Sequence, residues 1–156
     1  MTDLSSGALA RMHDAVRLPT GTLEWRAWRR GVLIEHVIEH NLVVDTSKTC
    51  QSRLIGGDVT NKSVTQVGFG TNGTAPVAGN TALTGAYVKA LDSHSYPSAS
   101  SVAFALSLGT GEANGIAILE FGLLAADGTL FARKTRSTAL NKDSDITLSA
   151  TWTIQF

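Results

Sequence analysis

The clearest pattern in the chain is its last stretch. Ile146, Leu148, Ala150, Trp152, Ile154 and Phe156 alternate with Thr147, Ser149, Thr151, Thr153 and Gln155. Side chains on a strand point alternately to opposite faces, so this period of two predicts a strand with one buried face and one wet face. The stretch 101–108 repeats the pattern, with Val102, Phe104, Leu106 and Leu108 on one face. The stretch 116–124 is nearly continuous in apolar residues, which predicts a strand covered on both sides. Asn114-Gly115 and Asp127-Gly128 are hairpin turn signals around it, and a strand over 129–133 follows the second. Shorter strands are predicted over 64–69 and 87–91.

Nearer the start, the stretch 22–44 is rich in aromatic and β-branched residues and is divided by Arg29-Arg30-Gly31. It reads as a hairpin. The stretch 45–55 reads as a short helix capped by Asp45 and ended by Gly56-Gly57. Residues 2–16 place Leu4, Ala8, Leu9, Met12 and Val16 three to four apart, the spacing of a short amphipathic helix. Helices this short are marginal alone in water, so the segment 1–20 is expected to act as an arm, with Leu4, Leu9 and Met12 as its assembly contacts. Seven or eight strands with glycine-rich turns predict an antiparallel β-sandwich or jelly-roll-like domain over 21–156, with one or two short helices.

Composition sharpens this picture. Of 156 residues, 43% are hydrophobic and only 17% charged, so the surface must rest on Ser, Thr, Asn and Gly or be covered by partners. The 13 basic and 13 acidic residues cancel. A nucleic-acid binder usually carries a basic excess, so no nucleic-acid partner is expected. Many copies can also pack closely without long-range repulsion. Cys50 is the only cysteine, which leaves no intramolecular disulfide and no cysteine-based zinc site. No apolar run approaches the roughly 18 residues that span a membrane, and residues 1–17 lack the apolar core of a signal peptide. Folding in a reducing cytoplasm and no membrane partner are the corresponding expectations.

Several motifs carry potential chemistry. His36-Val37-Ile38-Glu39-His40 matches the H-x-x-E-H pattern of inverted zinc peptidases, a distant reading as a metal-dependent hydrolase. That chemistry needs both imidazoles on one helix face, whereas the surrounding Val, Ile and Leu predict a strand. At about 3.3 Å per residue the two histidines would lie about 13 Å apart, too far for one metal. Gly68-Phe69-Gly70-Thr71-Asn72-Gly73 matches G-x-G-x-x-G, but no helix pattern follows to receive a pyrophosphate. The stretch 70–81 is instead expected to be a flexible surface loop. Arg26, Arg29 and Arg30 beside Trp25 and Trp28 could stack on bases, though a cationic hairpin edge accounts for them as well. His13, His94, Asp143, Ser144 and Asp145 sit in polar stretches without a nucleophile motif. No catalytic residue, metal or cofactor is assigned.

The order of the motifs points further. Asn41-Leu42-Val43-Val44, a short helix, the stretch 67–76 and Asn80-Thr81-Ala82-Leu83 come first. Ile118-Leu119-Glu120-Phe121-Gly122-Leu123-Leu124, the stretch 127–133, a loop containing Lys142 and the final alternating strand follow. This layout resembles the N-terminal domain of tailed-bacteriophage tail-collar fibre proteins. There a G-x-G loop with T-x-P and T-x-L elements precedes an E-x-G-L strand, a D-G hairpin and a last alternating strand. The resemblance covers 41–156. Collar fibres continue into a shaft, whereas this sequence stops at Phe156, and residues 2–44 have no counterpart. It therefore implies a compact virion component: a tail, baseplate or collar fibre subunit or adaptor, or alternatively a capsid decoration protein. It further implies location in the virion, self-association (as a trimer, by analogy with fibre-like parts) and docking to other tail or capsid proteins. The candidate contact loop is Gly70, Thr71, Asn72, Gly73, Thr74 and Pro76.

Overall fold

The structure, a computed structural model, describes residues 18–156. The predicted helix over 2–16, with Leu4, Leu9, Met12 and His13, lies outside the described residues. The fold is mainly β. In chain order the elements are β1 (Thr20–Arg29), β2 (Val32–Val43), α1 (Ser47–Ile55), β3 (Val64–Gly70), β4 (Tyr87–Ala90), β5 (Ser93–Ser98), β6 (Ser101–Leu108), β7 (Ala117–Ala125), β8 (Leu130–Asn141) and β9 (Ile146–Gln155). All pairings are antiparallel, in the order β4-β3-β7-β8-β2-β1-β9-β6-β5.

The sheet curls at β2. This strand pairs β1 from Asn41 to Val32, but meets β8 only through Leu42 and Val43. The two halves therefore close on each other and bury a common core. Leu23 and Trp25 of β1, Trp152 of β9 and Leu106 of β6 join Phe69 of β3 and Phe121 of β7 in one apolar cluster. The rings of Trp25 and Phe121 stand 5.4 Å apart, and Phe69 meets Phe121 edge-on at 5.7 Å. Such aromatic pairs add about 0.5–1.5 kcal/mol beyond the area they bury. Trp152 is fully buried, and its indole N–H donates to Asn41 Oδ1 at 2.8 Å.

The predicted strands over 101–108 and 146–156 form as β6 and β9, with their even-numbered apolar residues toward the core, except that β9 ends at Gln155 and Phe156 is exposed. The β1–β2 turn is Arg30-Gly31, both at positive φ (51° and 81°), the two-residue geometry that matches strand twist. Three elements differ from expectation. Among the described residues nine strands form, because β5 is an additional one: Ser93–Ser98 is polar and contains Pro97, and it becomes a strand by adding to the edge of β6. Proline is tolerated on such an edge. β8 continues past Arg133 to Asn141. α1 begins after Thr46, not Asp45. Asp45 turns instead to Lys48, and the Thr46 hydroxyl donates to the Leu130 carbonyl at 2.5 Å, tying the helix to β8. Cys50, on α1, is buried in the core, and burial pushes its thiol pKa up.

The β7–β8 hairpin is held by Asp127. Its carboxylate accepts from Lys62 and from the Thr129 amide. The Lys62 contact, followed by Thr129, holds its pKa well below the usual carboxylate range, at about 2. A lowered folded-state pKa stabilises above the unfolded carboxyl pKa of about 4. That contribution is lost as pH falls through about 2. Urea midpoints measured across this window should therefore drop more steeply for the native chain than for Asp127→Asn, whose neutral-pH midpoint should already be lower.

Candidate functional site

The residues singled out by motif do not converge. His36 and His40 lie on β2, both exposed, and face Glu24 and Thr22 of β1. Glu39 points to the other side of the strand and pairs with Lys134. Among the described residues no group of three His, Cys, Asp or Glu side chains is placed to hold a metal ion. The arginine cluster is paired internally: Arg26 with Glu24 at 2.5 Å, and Arg29 and Arg30 with Asp145 at 3.5 and 3.7 Å. Trp25 points into the core. His94 rests against the Tyr96 ring on the exposed strand β5. Asp143 caps the Ser144 amide at 2.7 Å. Lys142, in contrast, is buried. Its Nζ donates to Asn114 Oδ1 and the Asp143 carbonyl, and burial lowers its pKa.

What the structure does assemble is the stretch 71–86 around a buried ion pair. Phe121 and Leu123 of β7 face the core, so Glu120, Gly122 and Leu124 face outward, yet all three are buried. The covering layer is the loop. Arg133 of β8 donates from Nε to Glu120 Oε2 at 2.7 Å, from Nη1 to the Thr74 carbonyl and Asn80 Oδ1, and from Nη2 to the Asn72 carbonyl. The other Glu120 oxygen accepts from the amides of Asn72 (3.3 Å) and Thr84 (2.7 Å). Both residues are almost wholly inaccessible, at 2% and 0%. The loop expected to be flexible is thus fastened from beneath at both ends, while Thr71, Gly73, Thr74 and Ala75 remain exposed and Asn72 and Pro76 are half-buried.

The glycines of the G-x-G stretch serve this packing. Gly68 stands directly opposite Gly122 on the neighbouring strand. Together they leave a notch in the outer face that Leu83 fills; a Cβ on Gly122 would come within 2.7 Å of Leu83 Cδ1. A Cβ on Gly70 would lie 2.8 Å from the Thr84 carbonyl oxygen. Sequence reasoning placed the loop but missed Glu120 and Arg133 as its anchors. The signal lay in Glu120, a lone charge inside an otherwise apolar strand, a pattern that forces charge pairing; Arg133 heads a polar run and carried no such mark.

A second polar feature lies where β2 and β8 part. Glu35 of β2 accepts from Trp25 Nε1 at 2.9 Å and from Arg136 Nη2 at 2.8 Å. The Arg136 guanidinium lies over the Trp25 ring at 5.4 Å. Among the described residues two buried side-chain donors lack an acceptor, Arg136 Nη1 and Asn41 Nδ2, and both belong to the strands that flank this seam.

Comparison of the chain with protein families, with characterised proteins and with solved structures returns no match.

Removing one member of a buried pair leaves an uncompensated charge, at a cost of about 3–5 kcal/mol. Glu120→Gln and Arg133→Met should each lower unfolding free energy on this scale. The double variant Glu120→Leu/Arg133→Met should lose less than the sum. Hydrogen exchange at the Asn72 and Thr84 amides should accelerate in both single variants.

Proposed function

We propose that the chain is a structural subunit of a tailed-bacteriophage virion, in the tail, baseplate or collar fibre region, working by self-association and docking to other virion proteins. The observation that carries this reading is the fastened loop. Of the elements that give the sequence its resemblance to collar fibre proteins, the G-x-G and E-x-G-L stretches belong to one construction here. Gly68 and Gly122 form the notch, Glu120 and Arg133 hold the loop, and the 71–76 surface is presented outward. A loop ordered before contact loses little conformational freedom on docking, so its binding free energy is not spent on ordering. The low charged fraction and zero net charge favour dense packing of copies.

Mass spectrometry of purified particles should detect the chain, and its copy number separates a tail part from a decoration subunit. Light scattering should show an oligomer. Thr74→Arg changes an exposed side chain and leaves the Thr74 carbonyl available to Arg133. It should keep the native thermal midpoint while reducing incorporation into particles several-fold. A monomer absent from particles would overturn the proposal.

A further inference from the structure

Strand β2 has an edge that the fold does not finish. β8 joins it only at Leu42 and Val43, so among the described residues the outer edge of 32–41 has no strand partner. Backbone donors and acceptors along such an edge need water or another chain. Beside it lies a cleft of about 180 Å³, walled by Trp25, Glu35, Val37, Glu39 and Arg136. Arg136 is 8% exposed; Nη2 is spent on Glu35 and Nε on the Thr138 carbonyl, leaving Nη1 without an acceptor. The same strand exposes Val32, Leu33, Ile34 and Ile38 by 66, 50, 48 and 60%. Four exposed large apolar side chains within seven residues mark a contact surface.

We propose that β2 is a two-fold self-association edge, where β2 of a second copy adds antiparallel in a register centred on Val37 and the partner subunit's Glu39 supplies the acceptor for Arg136 Nη1. A strand paired antiparallel with its symmetry mate presents the same edge to both copies, so the contact closes on itself. The register follows from where the edge ends. β8 takes over at Leu42, and the stretch 33–41 is symmetric about Val37. In this register Val37 meets the partner's Val37, and Glu35 meets the partner's Glu39. Facing carboxylates alone would repel. Here Arg136 stands on Glu35 and Lys134 on Glu39 in each copy, so every carboxylate in the contact has a cation. On the outer side Ile38 lies diagonal to the partner's Ile38, within reach of cross-strand contact. A shift to a centre on His36 puts the partner's Val37, not a carboxylate, opposite Glu35, and Nη1 stays unpaired. The irregularity opposite Ala27 and Trp28 twists β2 near Ile34, which confines the regular ladder to 35–39.

This inference rests on the self-association proposed above and names its surface. Sedimentation equilibrium of the full chain at micromolar concentration should show a dimer or an even multiple. Ile38→Lys places a cation at an exposed position, so the monomer should keep its thermal midpoint while the dimer Kd rises about tenfold or more, about 1.4 kcal/mol. Val37→Cys should give a disulfide-linked dimer under mild oxidation, whereas Val77→Cys, exposed on the loop, should not; Cys50 is fully buried and contributes no crosslink. A stable oligomer that ignores Ile38→Lys and gives no Val37→Cys crosslink overturns the β2 contact but leaves self-association standing. A monomer at every concentration overturns both.

Discussion

Glu120 and Arg133 cannot occupy the outer face of β7 and β8 unless something covers and saturates them. Taking both charges out of water costs several kcal/mol per ion, and their mutual attraction recovers this only when the remaining donors and acceptors are also matched. The matching groups are backbone carbonyls and amides of Asn72, Thr74 and Thr84 and the side chain of Asn80. Strands and loop are therefore interdependent. Without the loop the ion pair is a defect in an apolar sheet, and without the ion pair the stretch 71–86 keeps only Leu83 and a few backbone bonds, such as that from the Asp45 amide to the Ala78 carbonyl. The glycine notch under Leu83 supplies the apolar half of the same fastening.

The legibility of this arrangement in the sequence was uneven for physical reasons. β6 and β9 were legible because each buries one face and leaves the other wet, and this imposes period two. The β1–β2 and β7–β8 turns were legible because positive φ restricts them to few residue types. β5 was not legible, since Ser93–Ser98 has neither pattern nor propensity and owes its shape to the open edge of β6. The second half of β8 was hidden by Lys134 and Arg136, which break the apolar pattern because they bridge to Glu39 and Glu35 across the seam. The helix start moved from Asp45 because Thr46 has a partner 84 positions away, at Leu130, which local capping rules do not see. The loop's anchors were hidden for a related reason: most of their partners are main-chain atoms, which carry no sequence signature.

The two edges of the β2-β1-β9-β6-β5 half, both open among the described residues, are treated differently. β5 is short, polar and interrupted by Pro97, devices that discourage another strand from adding. β2 is twelve residues long and carries Val, Leu and Ile on exposed positions, with only the irregularity near Ile34 and scattered charges against pairing. A sheet that blunts one edge and leaves the other apolar behaves asymmetrically toward neighbours.

The two arginines of β8 make the same point at the level of single atoms. They sit three residues apart and so face opposite sides of the strand. Arg133 looks outward, and each of its three guanidinium nitrogens has an acceptor in this chain. Arg136 looks inward to Trp25 and Glu35, is buried almost as deeply, and has one nitrogen left over. The cleft beside Arg136 opens along the edge of β2 that has no strand partner among the described residues. One guanidinium of β8 is thus saturated within the chain, and the other faces the open edge where the proposed pairing of β2 with a second copy would bring the partner's Glu39.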